Sequence, residues 1–331
     1  MFLRSHVICL AFAVAAPLVA CNGAANVGPT VDEIPGRPQS IDTRSQGALE
    51  AAAVSARDAL ATAQMAVPSK IYVVNNANNT LTTYNADGSR TKPTIGGLNQ
   101  PEGVAVDAAG KIYVSNNGNN TITTYNADGT RTMPTITTGI DGPVGVAVDA
   151  AGKIYVANNR NFTVTTYNAD GSQSAPTISG DQVNFPLGVA VDAAGKIYVS
   201  VAGVEGSSNA VTTYNADGSP ATPTIITGLA LPFGVAVDAA GKIYVANYLG
   251  NPNGDGDVTT YNADGTQSTP TISAGLNAPT GVAVDARGKI FVSNFGASGV
   301  PGTVTTYNPA GSRIKPTIGK ALNRPFGIAV R

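Results

Sequence analysis

The apolar and polar positions of this chain spell one phrase six times over. It runs Gly-Val-Ala-Val, Asp-Ala-Ala-Gly, Lys-Ile-Tyr-Val, a variable stretch, Thr-Thr-Tyr, Asn-Ala-Asp-Gly and Pro-Thr-Ile. The Lys-Ile-Tyr-Val block starts at Lys70, Lys111, Lys153, Lys196, Lys242 and, with Phe for Tyr, Lys289, so the copies lie 41, 42, 43, 46 and 47 residues apart. The two Val-rich blocks are apolar almost throughout, which predicts strands covered on both faces rather than an amphipathic pair. Asp-Ala-Ala-Gly between them predicts a tight hairpin, its glycine free to take positive φ. A third strand ends in Thr-Thr-Tyr, and Asn85–Gly88 and its counterparts (Asn308-Pro309-Ala310-Gly311 in the last copy) turn into a fourth. That fourth strand carries Pro93, Pro134, Pro176, Pro223, Pro270 and Pro316. Proline has no amide hydrogen for a ladder, so this strand belongs at an edge.

Several short strands in a period of 40 to 50 residues predict the blades of a β-propeller. The first copy begins at Lys70, without a Gly-Val-Ala-Val strand of its own, and the chain ends on Gly327-Ile328-Ala329-Val330-Arg331 with nothing after it. The expected fold is therefore an all-β, six-bladed propeller over residues 70–331, with four strands per blade. Strand 327–330 is expected to join the first blade and close the ring.

Upstream of the ring the pattern changes. Arg4, an apolar run from Val7 to Ala20 and the closing Leu18-Val19-Ala20-Cys21 predict an export signal over residues 1–20. The tetrapeptide resembles a bacterial lipobox, which implies cleavage before Cys21 and its lipidation; an ordinary secretory signal ending in Ala-Cys is the alternative. Residues 21–47, rich in Gly, Pro, Asn and Ser, read as a flexible tether. Residues 48–66 read as a short helix with Ser45 as a possible cap. Its thin apolar side leaves open whether it docks on the ring, extends the stalk or meets a partner.

Composition narrows the chemistry. Loss of residues 1–20 removes His6, the only histidine, and Cys9, leaving 311 residues with no His, no Trp and a formal charge of −2. Neither an internal disulfide nor a cysteine-based zinc site can then be built. Charged residues make up 12% of the chain, about half the usual share. No basic stripe is present to displace counterions from phosphates, so nucleic acid is not an expected partner.

Pro-x-Gly-Val-Ala-Val-Asp-Ala-Ala-Gly-Lys-Ile-Tyr-Val, continued through Asn-Ala-Asp-Gly and most complete at Pro101–Gly129 with Glu102 as x, is similar to the NHL repeat and to related YVTN-type surface repeats. The resemblance covers residues 70–331 and marks fold more than function. It implies relatives as diverse as lyases, calcium-dependent lactonases, RNA-binding modules and secreted proteins. In lyase-like relatives it implies a histidine near the channel rim, which this chain lacks.

Three sets of residues are candidates for a site. The residue between Pro and Gly-Val-Ala-Val falls at equivalent places around the axis: Glu102, Val144, Leu187, Phe233, Thr280 and Phe326. An apolar rim with one carboxylate suits a small amphipathic or cationic ligand, or simply packs the mouth of the channel. A second ring, Asn75, Asn116, Asn158, Asn247 and Asn294, is interrupted by Val201 in the fourth blade and suits loop capping. Third, Asn251, Asn253, Asp255 and Asp257 alternate with Pro252, Gly254 and Gly256 like the start of a calcium loop. Position twelve there is Asn262 rather than Glu, and the same composition makes an ordinary turn.

All length variation falls on one face of the disc. The two conserved turns never change length, whereas the link from the second strand's valine to the third strand's tyrosine spans 11 residues in blades one to three and 15, 16 and 15 in blades four to six. Binding loops on a rigid scaffold behave this way, as does neutral drift after duplication. The functional expectation is an envelope-anchored binding or interaction module using this face, with a protein, glycan or small molecule as partner. The ring is expected to be monomeric, on the periplasmic or extracellular side and touching the membrane through its lipid alone. No resident cofactor is expected, calcium being the one alternative. The second reading is a calcium-assisted lactonase or hydrolase working at the channel mouth. For that chemistry the exported chain has Glu33, Glu50, Glu102 and Glu205 as its only glutamates.

Overall fold

The computed structural model describes residues 69–203, 208–250, 254–296 and 300–331. The signal segment, Cys21, the tether, the 48–66 helix, Glu205, Asn251 and Asn253 lie outside the described residues. The described chain forms six four-stranded antiparallel sheets, each an up-and-down meander in chain order except the first. In that first sheet, blade I, the order is Pro325–Val330, Lys70–Asn75, Thr80–Asn85, Arg90–Ile95. The last strand of the chain is thus the innermost strand of the first blade, with Ile71 opposite Val330, Tyr72 opposite Ala329 and Val73 opposite Ile328. Lys70 N donates to Arg331 O at 2.7 Å and Arg331 N to Lys70 O at 3.0 Å, completing the seam. The closing strand is two residues longer than the 327–330 expected, because Pro325 still pairs with Asn75.

Closure is also visible in the packing. Six hydrophobic core clusters each lie between two neighbouring blades and together run around the circle, and a seventh gathers Val144, Leu187, Phe233 and Phe326 at the axis. Ile71, Val73, Tyr84 and Ile328 of blade I meet Ala283, Phe291 and Val304 of blade VI. Tyr72, Val74 and Leu81 on the other side of blade I meet Val104, Ile112 and Val114 of blade II. The second strand of every blade is buried on both faces, as the uninterrupted apolar pattern predicts. The innermost strands differ: in Pro101–Val106, Glu102 and Val106 are mostly but not fully buried, because one edge of this strand lines the channel. Each outer strand sits at the edge of its sheet and contains the recurring proline.

Near the axis the blades approach so closely that glycine is required. A Cβ on Gly145 would lie 2.7 Å from Leu187 O and 2.8 Å from Val189 N of the next blade. Serine hydroxyls stitch some of these approaches. Ser115 Oγ accepts from Gly103 N at 2.7 Å and donates to Val144 O at 2.6 Å, and Ser200 Oγ reaches Phe233 O at 2.5 Å.

Candidate functional site

One face of the disc carries the hairpin and Asn-Ala-Asp-Gly turns; the other carries the loops of variable length. On the hairpin face every aspartate is spent on its own turn. Asp149 Oδ1 accepts from the Ala151 and Lys153 amides at 2.9 Å each, and Oδ2 accepts from the Tyr155 hydroxyl at 3.1 Å. The same wiring repeats at Asp107, Asp192 and Asp238. Burial, reinforced by the neighbouring carboxylate, raises the phenols of Tyr113, Tyr155, Tyr198 and Tyr244. These carboxylates brace the turns that contain them.

On the variable face the structure brings Glu102, Val144, Leu187, Phe233, Thr280 and Phe326 together around one cavity of about 80 Å³ at the axis. They are not equivalent. Val144 and Leu187 are buried and packed with Phe233 and Phe326. Thr280 is buried, and its hydroxyl donates to Phe326 O at 3.1 Å, so it offers the cavity no donor. Phe233 and Phe326 meet edge to face, ring centroids 5.5 Å apart, bridging over blade VI. Glu102 remains. Its carboxylate makes no hydrogen bond with any described residue, and burial pushes its pKa up to about 7, against the opposing pull of the Arg160 charge.

The asparagine ring sits just outside and is occupied. Asn116 Oδ1 accepts from Asn99 N at 3.1 Å while its amide donates to Thr123 Oγ1 at 3.0 Å. Asn75, Asn158, Asn247 and Asn294 repeat both bonds. Each therefore pins an interblade loop to its own blade from a buried position. Val201 breaks the ring, and in that blade the buried Thr212 and Tyr214 hydroxyls lack a well-formed hydrogen bond. In the proposed calcium stretch, Asp257 Oδ1 accepts from Asn247 Nδ2 at 2.7 Å, and among the described residues no group of three His, Cys, Asp or Glu is placed to hold a metal.

Sequence reasoning missed the residues that flank the cavity. The position following the asparagine ring is Asn76, Asn117 and Asn159 in blades I to III, then Ala202, Tyr248 and Phe295 in blades IV to VI. Asn76 and Asn159 donate to the carbonyls of Pro101 and Pro186, and Asn117 Oδ1 accepts from Arg160 Nη2 at 3.3 Å. Tyr248 packs on Phe233 at 5.4 Å, and Phe295 on Phe326 at 6.0 Å. The mouth therefore has a polar half and an aromatic half. The signal was present, since these are departures from an otherwise repeated phrase, but the lengthened loops beside them hid the register.

This arrangement defines a six-bladed β-propeller with its cavity on the loop-bearing face. Residues 98–125 and 141–167, in the second and third blades, match the NHL repeat, and the ring as a whole is a six-bladed β-propeller. No curated protein matches the sequence. Among solved structures, a chain of the nidogen/laminin complex superposes with a TM-score of 0.65 at 16% identity, over 79% of this chain and 98% of that one. A Bacteroides caccae protein of unknown function gives 0.63 at 13%, over 80% and 98%. Virginiamycin B lyase from Staphylococcus aureus gives 0.56 at 15%, over 78% and 84%. At these identities the likeness is one of fold.

Proposed function

We propose that the ring is a ligand-binding module whose site is the mouth of the channel on the variable face. The observation that carries this reading is Glu102: an unpaired carboxylate, desolvated among Val144, Phe233 and Phe326 at the axis of a rigid scaffold. Burying an ionisable group without a partner costs free energy, and such perturbed groups concentrate at functional sites. Exposed Leu249 and Val300 on the adjoining loops extend the apolar surface available to a partner. A fragment screen by NMR tests the reading. Bound fragments are expected to shift the Val144, Leu187 and Phe326 resonances; hits scattered over the disc, or none, overturn it.

The site is proposed to work outside the cytoplasm, tethered through a lipid on Cys21, and without a resident metal. Mass spectrometry of the native amino terminus and release of a Cys21→Ser variant from membranes test the anchor. For calcium, millimolar ion is expected to leave the melting temperature unchanged; a shift lost in Asp255→Ala would establish a site. One observation favours the enzymatic alternative: a carboxyl titrating near neutrality suits a general base. Hydrolysis of lactone substrates that disappears in Glu102→Gln would convert the binding reading into a catalytic one.

A further inference from the structure

We infer that the channel mouth recognises the primary ammonium end of an alkyl chain, with Glu102 as its counter-charge and the aromatic half of the rim as its apolar bed. The inference rests on the binding reading above and names the ligand class for the same site. Four features of the mouth lead to it.

First, the cavity is lined by one carboxylate, Glu102. Of the axial carbonyls, Val144 O accepts from Ser115, Phe233 O from Ser200, and Phe326 O from Ser293 and Thr280. Those of Glu102, Leu187 and Thr280 receive no such side-chain bond among the described residues, because Val74, Ala157 and Ala246 stand where the serines would be. A hard metal ion takes six to eight oxygens, usually with several carboxylates among them, and one carboxylate is a sparse set for it. An ammonium group needs one counter-charge and a few acceptors. Second, the surroundings suit a cation with an apolar stem. Phe233, Phe326, Tyr248 and Phe295 form a continuous chain of ring contacts, and Arg324 already lies 5.3 Å over the Phe295 ring, so these rings accept positive charge on their faces.

Third, size selects the end of a molecule rather than the whole. About 80 Å³ holds roughly half a dozen waters, which matches an ammonium group with about four methylenes. A lysine side chain or a free alkylamine fits; a bulky ring system does not. Fourth, the neighbouring charges leave the position open. Strands Pro143–Val148 and Pro325–Val330, on either side of Glu102, present Val144 and Phe326 there. The loop before Glu102 brings Asn99 and Gln100, which do not titrate. Arg160, from blade III, is the cation whose field reaches Glu102, and its Nη atoms are bonded to the side chains of Asn117 and Asn120. Arg324 is engaged over Phe295.

A cation binds the ionised carboxylate, so its apparent affinity follows the ionised fraction of Glu102. With that group titrating at about 7, the affinity for an ammonium rises about tenfold between pH 6 and pH 8. A neutral hydrogen-bond acceptor would bind the protonated carboxyl and show the opposite slope.

The test titrates n-butylammonium, n-butanol and n-butyrate into the ring at pH 6 and pH 8, following the Val144, Leu187 and Phe326 methyl and ring resonances. Wild type, Glu102→Gln and, as a control carboxylate on the same face, Asp181→Asn are compared. Expected is tighter butylammonium binding at the higher pH, lost with its pH dependence in Glu102→Gln and unchanged in Asp181→Asn. Butanol is expected to bind more weakly and without a pH slope. If butanol or butyrate binds as well as butylammonium, the cation assignment fails while binding at the mouth stands. If none of the three shifts these resonances at pH 8, the assignment fails, and the fragment screen decides the wider reading separately.

Discussion

The two faces of this disc use carboxylates in opposite ways. On the hairpin face, aspartates such as Asp149 accept two amides of their own turn and the tyrosine hydroxyl of the strand that follows. On the loop face, Glu102 is left without a hydrogen bond among the described residues and is largely withdrawn from water. The repeat supplied the first arrangement in nearly every blade, whereas the second exists in blade II alone, at a position that is otherwise Phe, Val, Leu or Thr. A residue that stabilises the fold is repeated with the fold. A residue that costs stability and occurs once points to a site.

Four changes sharpen or break this contrast. The most severe is deletion of residues 325–331, which removes the inner strand of blade I and uncovers the Ile71–Val73 edge. Loss of cooperative melting, or oligomerisation, is expected in calorimetry and light scattering; a monomer melting like the parent would refute closure. Next, Asp149→Ala strips acceptors from two amides and the buried Tyr155 phenol. It is expected to cost about 2 to 4 kcal/mol in urea unfolding. The exposed Asp181, at the start of a short turn on the loop face, should tolerate alanine to within about 0.5 kcal/mol.

Glu102→Gln should act in the other direction, and only at higher pH. The folded-state pKa is raised to about 7, so the stability linked to this group is complete below its ordinary value and is lost as pH rises through 7. The glutamine variant is therefore expected to match the parent near pH 4.5 and to exceed it by up to about 3 kcal/mol at pH 8.5. The Asn-Ala-Asp-Gly turns carry the opposite sign. Side-chain and backbone bonds from Ser89 and Thr130 lower the pKa of Asp87 and Asp128, so any stability they add is present above the ordinary carboxylate range and is lost on acidification. Leaving aside the near-neutral Asp181 control, the smallest effect concerns blade IV. Val201→Asn would restore the brace missing beside Thr212 and should add about 1 kcal/mol; destabilisation would show that the valine packs more than the amide bonds.

How much of this was readable beforehand follows from where the repeat holds. Blade number, strand order and the joining of Ile328 to the first blade were legible because a phrase copied six times fixes its own register. The six axial positions were legible for the same reason. The chemistry at the mouth was not, since the pKa of Glu102 depends on Phe326 and Val144 closing over it from neighbouring blades, which no local pattern encodes. Tyr248 and Phe295 were hidden for a second reason: they open the lengthened loops, where alignment to the other copies ends. The serine stitches at Ser115, Ser200 and Ser293 were visible as letters that alternate with Ala157 and Ala246, but their partners lie across a blade boundary.

The account rests on one carboxylate being held out of water by the apolar ring at the channel mouth. Side-chain carboxyl carbon NMR of selectively labelled Glu102, titrated from pH 3 to pH 9, measures this directly. A midpoint near 7, falling on addition of n-butylammonium, is the predicted result; a midpoint in the ordinary glutamate range, near 4.5, would contradict it.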